Sequence, residues 1–199
     1  MKILFYLMHH KKWHIWNNKN NQLMKTDALA VANYFIELAQ KEDKPMHLLG
    51  LVKRVYIAHG FSLALNHRGL INHRFDKVEA WKYGPVIPSV YHTFKQQQHT
   101  ANEIKDFATN MVWDENNFKP DWVTPKLENT EDKKVVELVW ERYKSFSDSE
   151  LVSLTHKKGT PWFLCYIENE NVPIPDELTT VYYKQLIENI VNAHERKSV

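Results

Sequence analysis

The sequence predicts a mainly α-helical fold in which several helices form one compact domain. Two observations support this prediction. Apolar residues recur at the three- and four-residue spacing of a helix in several segments, and helix-capping residues precede most of those segments. With 199 residues, 43% of them hydrophobic, the chain is also long enough for one sizeable core but short for two. We therefore expect a single domain over residues 24–199.

The first 23 residues differ in composition from the rest of the chain. They hold an Asn-rich run before Met24, and five lysines fall within residues 1–25 with no acidic residue beside them. We expect residues 1–23 to be an N-terminal extension, poorly ordered or loosely attached, or the result of an upstream translation start. Without those lysines, 21 basic residues face 24 acidic ones. This balance argues against nucleic acid as a partner, because phosphate binding needs a positive surface.

Two helices open the predicted domain. The first runs over about 27–41, with Thr26 or Asp27 as its N-cap. The second, LLGLVKRVYIAHGFSLAL, is apolar around so much of its circumference that we expect it to be buried. Gly50 and Gly60 lie inside this helix. Because glycine destabilises a helix interior by about 1 kcal/mol, both indicate close packing against a neighbour.

The middle of the chain mixes helical and extended signals. Residues 75–83 alternate without a helical period and predict an extended segment, whereas Pro88 suits the first turn of a third helix near 88–98. The segment 100–129 is polar overall and allows a short helix and a small β-hairpin in the 108–124 region, turning around Asp114 to Asn117. Its aromatic residues are Phe107, Trp113, Phe118 and Trp122.

Three helix starts follow. Thr130 with Glu131 and Asp132 opens one helix, and we interpret the two acids as solvated residues that complement the helix dipole. Residues 147–150 have the spacing of a capping box and open another helix. Pro175, followed by two acids, opens the last one.

Cysteine content and hydropathy bear on the compartment. Cys165 is the single cysteine, which excludes an intramolecular disulfide and cysteine-rich zinc sites. We expect Cys165 to fill apolar space as an unreactive thiol and the protein to act in the cytoplasm. The apolar run from Ile3 to Met8 is far shorter than the ~20 residues of a membrane span, so no membrane association is expected.

Eleven histidines invite a test for metal or acid–base chemistry. No HExxH motif occurs, and His67 and His73 are six residues apart, which does not place them on one helical face. The sequence also lacks a Gly-rich phosphate loop and a GxSxG motif. We therefore predict no metal ligand, no cofactor and no catalytic residue. The alternative is an enzyme that uses His156 or His59 beside a carboxylate in a cleft.

The stretch EAWKYGPVIPSVY, residues 79–91, requires a structural explanation. Gly84 precedes Pro85, and without a Cβ it can adopt backbone angles that other residues avoid. Pro85 and Pro88 then stiffen the chain. Three aromatic residues surround this corner and either pack it onto the core or bind a partner. They are Trp81, Tyr83 and Tyr91.

A second stretch, LVSLTHKKGTPW, ends a helix near His156, turns, and continues with Pro161 and Trp162. A histidine at a helix C-terminus can bond the free carbonyls, which is a structural role, or it can lie in a binding cleft.

Four segments in this order resemble the Panacea domain family, which includes SocA-like antitoxins and phage-associated proteins. They are the helix ALAVANYFIELA, the apolar second helix, EAWKYGPVIPSVY and LTHKKGTPW, and they span about Asp27 to Trp162. The third is the most specific, because an Ala-Trp pair followed at fixed distance by Gly-Pro-Val, Pro and Tyr rarely arises by chance.

The resemblance implies a helical, non-catalytic antitoxin domain that neutralises a toxin by direct binding. In some members it also implies an adaptor that delivers the toxin to a protease. The expected partner is a toxin encoded nearby, and no cofactor is implied. The alternative is an interaction protein of phage or effector origin without a cognate toxin. The partner-binding residues that we predict are Trp81, Tyr83, Gly84, Pro85, Pro88, Tyr91, His156, Pro161 and Trp162.

Overall fold

The computed structural model describes residues 27–73, 76–98, 103–114 and 117–196, and the predicted extension 1–23 lies outside them. These residues form a mainly helical fold with small antiparallel sheets, as the sequence predicts. The helices are α1 (Ala28–Lys41), α2 (Leu48–Asn66), α3 (Pro88–Gln98), α4 (Thr130–Tyr143), α5 (Asp148–His156), α6 (Pro161–Cys165) and α7 (Asp176–Glu195). The strands are β1 (Glu79–Trp81), β2 (Gly84–Val86), β3 (Asn110–Asp114), β4 (Lys119–Val123) and β5 (Val172–Pro173).

Helix α2 is the centre of the fold. Of its 19 residues 16 are buried, since α1, α3, α4, α5, α7 and strand β2 all pack against it. The two glycines lie at close contacts, as predicted. Gly60 lies against the ring of Tyr183 in α7, and Gly50 lies against Asp148 and Arg54. A side chain at Gly60 would separate α2 from α7.

The apolar character of α2 follows from this position. Among the described residues it is the one helix that is long and apolar enough to cross a membrane, and 89% of that span is buried within the protein. A helix that is apolar on every side and covered by other helices is a core helix. The core around it includes residues from Ala28 in α1 to Tyr183 in α7.

Two small antiparallel sheets accompany the helices. One has the strand order β2-β1-β5, and the other pairs β3 with β4. The predicted hairpin in the 108–124 region is confirmed, whereas no helix forms in the described part of 103–129. The extended segment predicted for 75–83 is a strand only over Glu79–Trp81, and Phe75 is outside the described residues. Strand β5 was not predicted.

Capping residues set most helix ends where the sequence places them. The Asp27 carboxylate accepts the Leu29 N–H at 2.9 Å, and Ser147 with Glu150 forms the predicted capping box. The cap of α4 is Asn129, one residue before the predicted start. Because Asp132 forms an ion pair with Arg68 at 2.5 Å and its side chain is buried, the prediction of a solvated Asp132 is wrong.

Candidate partner-binding surface

The two conspicuous sequence stretches meet in the structure. Trp162, the first large side chain of α6, donates its indole N–H to the Trp81 carbonyl at 2.7 Å. His156, at the end of α5, has its Nε2 3.4 Å from the Lys82 carbonyl oxygen. The turn between β1 and β2 therefore packs against the turn between α5 and α6. We call this junction, residues 81–91 with 156–162, the proline corner.

Gly84 allows the proline corner to form. Its φ of +98° lies in the region that favours glycine, and a Cβ there would lie 2.8 Å from Lys53 Nζ and 3.0 Å from His156 Cε1. Without a side chain, Gly84 can adopt this positive φ and leaves room for Lys53 and His156. The predicted role of Gly84, shaping a tight turn before Pro85, agrees with this geometry.

Lys53 lies directly beneath the corner, although its residue type does not suggest burial. Helix α2 directs the side chain inward, where it is fully buried and its Nζ donates to the Pro85 carbonyl at 3.0 Å. Burial lowers the pKa of Lys53 to about 7, because the ammonium loses its hydration and no carboxylate among the described residues compensates for this loss. The proline corner thus packs on the Lys53 amine, whose pKa is near neutral pH.

Aromatic contacts stabilise both halves of the proline corner. The rings of Trp81 and Tyr91 are 4.9 Å apart in an edge-to-face arrangement. Trp162 lies between His156, at 3.8 Å, and Tyr166, on which it stacks at 4.7 Å. The contact between Trp81 and Tyr91 forms because β1 leads through the turn and β2 directly into α3.

Exposure separates the nine predicted binding residues into two groups. Tyr83 is 64% exposed, and half-buried positions are held by Trp81, Pro88, Tyr91 and His156. The buried ones are Gly84, Pro85, Pro161 and Trp162, of which Trp162 is 8% exposed. The sequence left open whether the aromatic residues pack or bind. For Trp162 the structure shows packing, while Tyr83 presents its ring to solvent.

The structure shows a second exposed apolar surface that the sequence reasoning did not identify. It lies on the β3–β4 hairpin, where Trp113 is 57% exposed and Trp122 is 65% exposed. The signal was available, since Met111 and Trp113 alternate with Val112 and Asp114 as in a strand with two different faces. The overall polarity of 100–129 concealed it.

His59 pairs with a carboxylate, as the enzyme alternative requires, and its ring is fully buried while the carboxylate is partly exposed. His59 Nε2 is 3.0 Å from Asp176 Oδ1, and His73 Nε2 is 2.7 Å from Oδ2 of the same carboxylate. Burial raises the pKa of Asp176, but hydrogen bonds from His59 and His73 and the electrostatic attraction of their rings outweigh this effect and hold the pKa below its ordinary value. The group joins α2 and the loop at His73 to the first turn of α7.

The potential ligand atoms of these three residues lie within 4.8 Å of one another, a spacing that could accommodate a metal ion. The hydrogen bond to the other ring nitrogen of His59 favours a different role. Leu70 N–H donates to His59 Nδ1 at 3.1 Å, so the neutral ring carries its proton on Nε2. A histidine ligand normally has the reverse arrangement, with its second nitrogen donating. The geometry therefore fits a hydrogen-bonded tie better than a metal centre.

Substitution of Asp176 by asparagine is expected to destabilise the protein by about 1 to 2 kcal/mol near neutral pH, because a charge-assisted hydrogen bond is lost. Since the folded pKa lies below the ordinary 3.8, the stability from ionised Asp176 is complete above that value and lost as pH falls through the folded pKa. Urea unfolding of both proteins across acidic pH checks this. A difference that stays constant down to the acid transition would contradict it.

His156 has no carboxylate partner among the described residues. Its Nδ1 donates to the Val152 carbonyl, 2.7 Å away and one helical turn earlier, which is a structural contact within α5. Cys165 is half-buried, and burial raises the pKa of its thiol, which fits the expected unreactive cysteine.

Comparison with known proteins places these features in a family. The family model described as "Antitoxin SocA-like, Panacea domain" matches residues 51–163, a range that includes Lys53, both halves of the proline corner and the β3–β4 hairpin. The chain belongs to this Panacea family. It is also 33% identical over 136 residues to Antitoxin SocA of Caulobacter vibrioides (strain NA1000 / CB15N), covering 68% of each chain. No solved structure matches.

The predicted resemblance to the Panacea family is thereby confirmed. The matched range begins inside α2 and ends inside α6, so α1 and α7 lie outside it. Of the His59–Asp176 pair, only His59 is within the matched range. The residues that form the proline corner all lie within it.

Proposed function

We propose that this protein is an antitoxin that neutralises a toxin protein, encoded nearby, by binding it directly. The observation that carries the proposal is the family match, together with the 33% identity to Antitoxin SocA over 68% of each chain. The chemistry of the described residues is compatible with a binding role. The ring nitrogens of His156 face backbone carbonyls, and the ring of His59 is buried. We place the activity in the cytoplasm and assign it to residues 24–199 as one domain.

For the proline corner we propose a divided role. Tyr83, with the half-buried Trp81, Tyr91, Pro88 and His156, contributes contact area to the partner. The buried Gly84, Pro85, Pro161 and Trp162 hold that surface in shape. Aromatic side chains suit such contacts, because they offer large area with few rotatable bonds to order on binding.

Co-expression tests the proposal. The product of the neighbouring reading frame is expected to arrest growth by itself, to be tolerated with this chain present, and to copurify with it. Tyr83→Ser is expected to weaken copurification, whereas Val181→Ser, at a 69% exposed position of α7, serves as the matched control. A neighbouring product that is harmless by itself, or that fails to copurify, would refute the antitoxin role.

We further propose that the bound toxin is delivered to a protease. The half-life of the toxin, followed after translation is stopped, is then expected to shorten when this chain is present. An unchanged half-life would leave neutralisation by binding alone and rule out the adaptor role.

A further inference from the structure

The β3–β4 hairpin presents one of its faces entirely in apolar side chains. Its register sets Met111 opposite Trp122 and Trp113 opposite Pro120. Because alternate residues of a strand point to the same side, these four share a face. Met111, Trp113 and Trp122 are exposed large side chains, and all of β4 is exposed. We call these four residues the outer face.

The opposite face of the hairpin borders the body of the protein along part of its length. Val112 and Val123 line a cavity of about 310 Å³ together with Ala30 of α1 and Leu127. The Asn110 side chain also donates to the carboxylate of Asp27 at 3.2 Å. The two faces differ in degree: Val112 and Val123 are 48% and 47% exposed, whereas Met111, Trp113 and Trp122 on the outer face are 62%, 57% and 65% exposed.

A buried asparagine fixes the base of the hairpin. The Asn33 amide of α1 donates to the carbonyls of Ala108, at 3.1 Å, and Pro125, at 3.0 Å, and its oxygen accepts the Ala108 N–H at 2.8 Å. These three bonds tie both ends of the hairpin to one side chain. A two-stranded hairpin by itself is marginally stable, so this tie orients the outer face before any partner binds.

Burial of the exposed apolar side chains of the outer face against a partner would be favourable in free energy. Full burial of a large apolar side chain stabilises by about 1.5 to 3 kcal/mol, and tryptophan is among the residues that most often dominate protein interfaces. A contiguous exposed patch of such residues marks an interaction site. The outer face carries two tryptophans, and Phe118 at the tip of the hairpin is also exposed.

Charge around the hairpin distinguishes the possible occupants. Residues 103–128 include six acidic residues and three lysines, with no arginine. Stacking of single-stranded nucleic acid on tryptophan requires a positively charged groove, which this segment lacks. A protein surface with an apolar recess would complement the apolar outer face. Lysine or arginine at the border of that recess would complement the excess of acidic residues around the hairpin.

We propose that the outer face is the docking surface for the toxin, and that the toxin receives Trp113 and Trp122 in an apolar recess with a basic border. This inference rests on the proposed antitoxin function and assigns it to a surface. It makes the hairpin the main contact and the proline corner a secondary one.

The test is the double variant W113T/W122T, in which threonine keeps the β-propensity of both strands. Its melting temperature is expected to equal that of the wild type, because both side chains are exposed. Affinity for the toxin, measured by calorimetry with the purified full chain, is expected to fall at least about 100-fold, as for two interface tryptophans.

Val181→Thr, equally exposed but on α7, is expected to bind as the wild type does. Wild-type affinity is also expected to weaken from about 0.1 M to about 0.5 M salt.

The outcomes separate the two proposals. A wild-type chain that does not bind the toxin overturns both, whereas a double variant that binds as tightly as the wild type overturns the docking surface alone. Two further results would also overturn it. One is a dimer, seen by light scattering, that the double variant abolishes, since a second copy would then occupy the face. The other is tryptophan-dependent binding of a single-stranded RNA oligomer.

Discussion

Replacement of Gly84 by alanine is expected to lower the free energy of unfolding by about 2 to 4 kcal/mol, the sum of a backbone and a packing cost. The φ of +98° is strained for any residue with a Cβ. The new methyl would also lie 2.8 Å from Lys53 Nζ and 2.9 Å from Lys53 Cε, in a buried position where the lysine has little room to move. Thermal and urea unfolding measure the loss.

Gly159 provides the matched control. Its φ of +85° is similar, but a Cβ there would have no atom within 4 Å. Gly159→Ala is therefore expected to lose only the backbone part, about 1 to 2 kcal/mol. Equal losses for the two variants would show that Lys53 and His156 do not constrain the corner, and the account of the buried contact would then be wrong.

Replacement of Lys53 by methionine is expected to change the pH dependence of stability. The folded pKa of about 7 lies below the ordinary 10.5, so between these values the unfolded chain binds one more proton than the folded chain. Wild-type stability therefore contains a component that rises with pH in this window. Methionine, similar in length and without charge, removes that component.

Between about pH 6 and about pH 9, the wild type is expected to gain roughly 2 to 3 kcal/mol relative to Lys53→Met. At the lower pH the variant is expected to be the more stable protein, even though the Pro85 carbonyl loses its donor at a cost of about 1 to 3 kcal/mol. Urea unfolding at both pH values measures the difference. Lys41→Met, at an exposed site on α1, is the control variant. Parallel stabilities of the wild type and Lys53→Met would contradict the prediction.

The helices were predictable because their signals are local. A cap such as Asp27 or Ser147 bonds an N–H two or three residues away, and a periodic apolar pattern reports one buried face. Asp132 shows where this reasoning fails. Its acidic side chain at a helix start looks solvated, yet the carboxylate is buried and pairs with Arg68, 64 residues away.

The candidate sites were predictable only in part. The two stretches that form the proline corner were identified from their residues, yet nothing in either one indicates Lys53, which reaches them from α2. The hairpin was predicted as a structure but not as a surface. Whether Trp113 and Trp122 face the core or solvent depends on how Asn33 orients the hairpin, and those contacts span 75 and 92 residues.

The sequence by itself determined the mainly helical fold, the membership in the Panacea family and the need for glycine before Pro85. These depend on side-chain periodicity, residue order and backbone sterics, all of which act within short stretches of chain. Only the tertiary structure decided that Lys53 is buried beneath Gly84, that His59 meets Asp176 and that the outer face of the hairpin is exposed. Each of these depends on which distant segments pack together, because burial and electrostatic environment are properties of the folded chain.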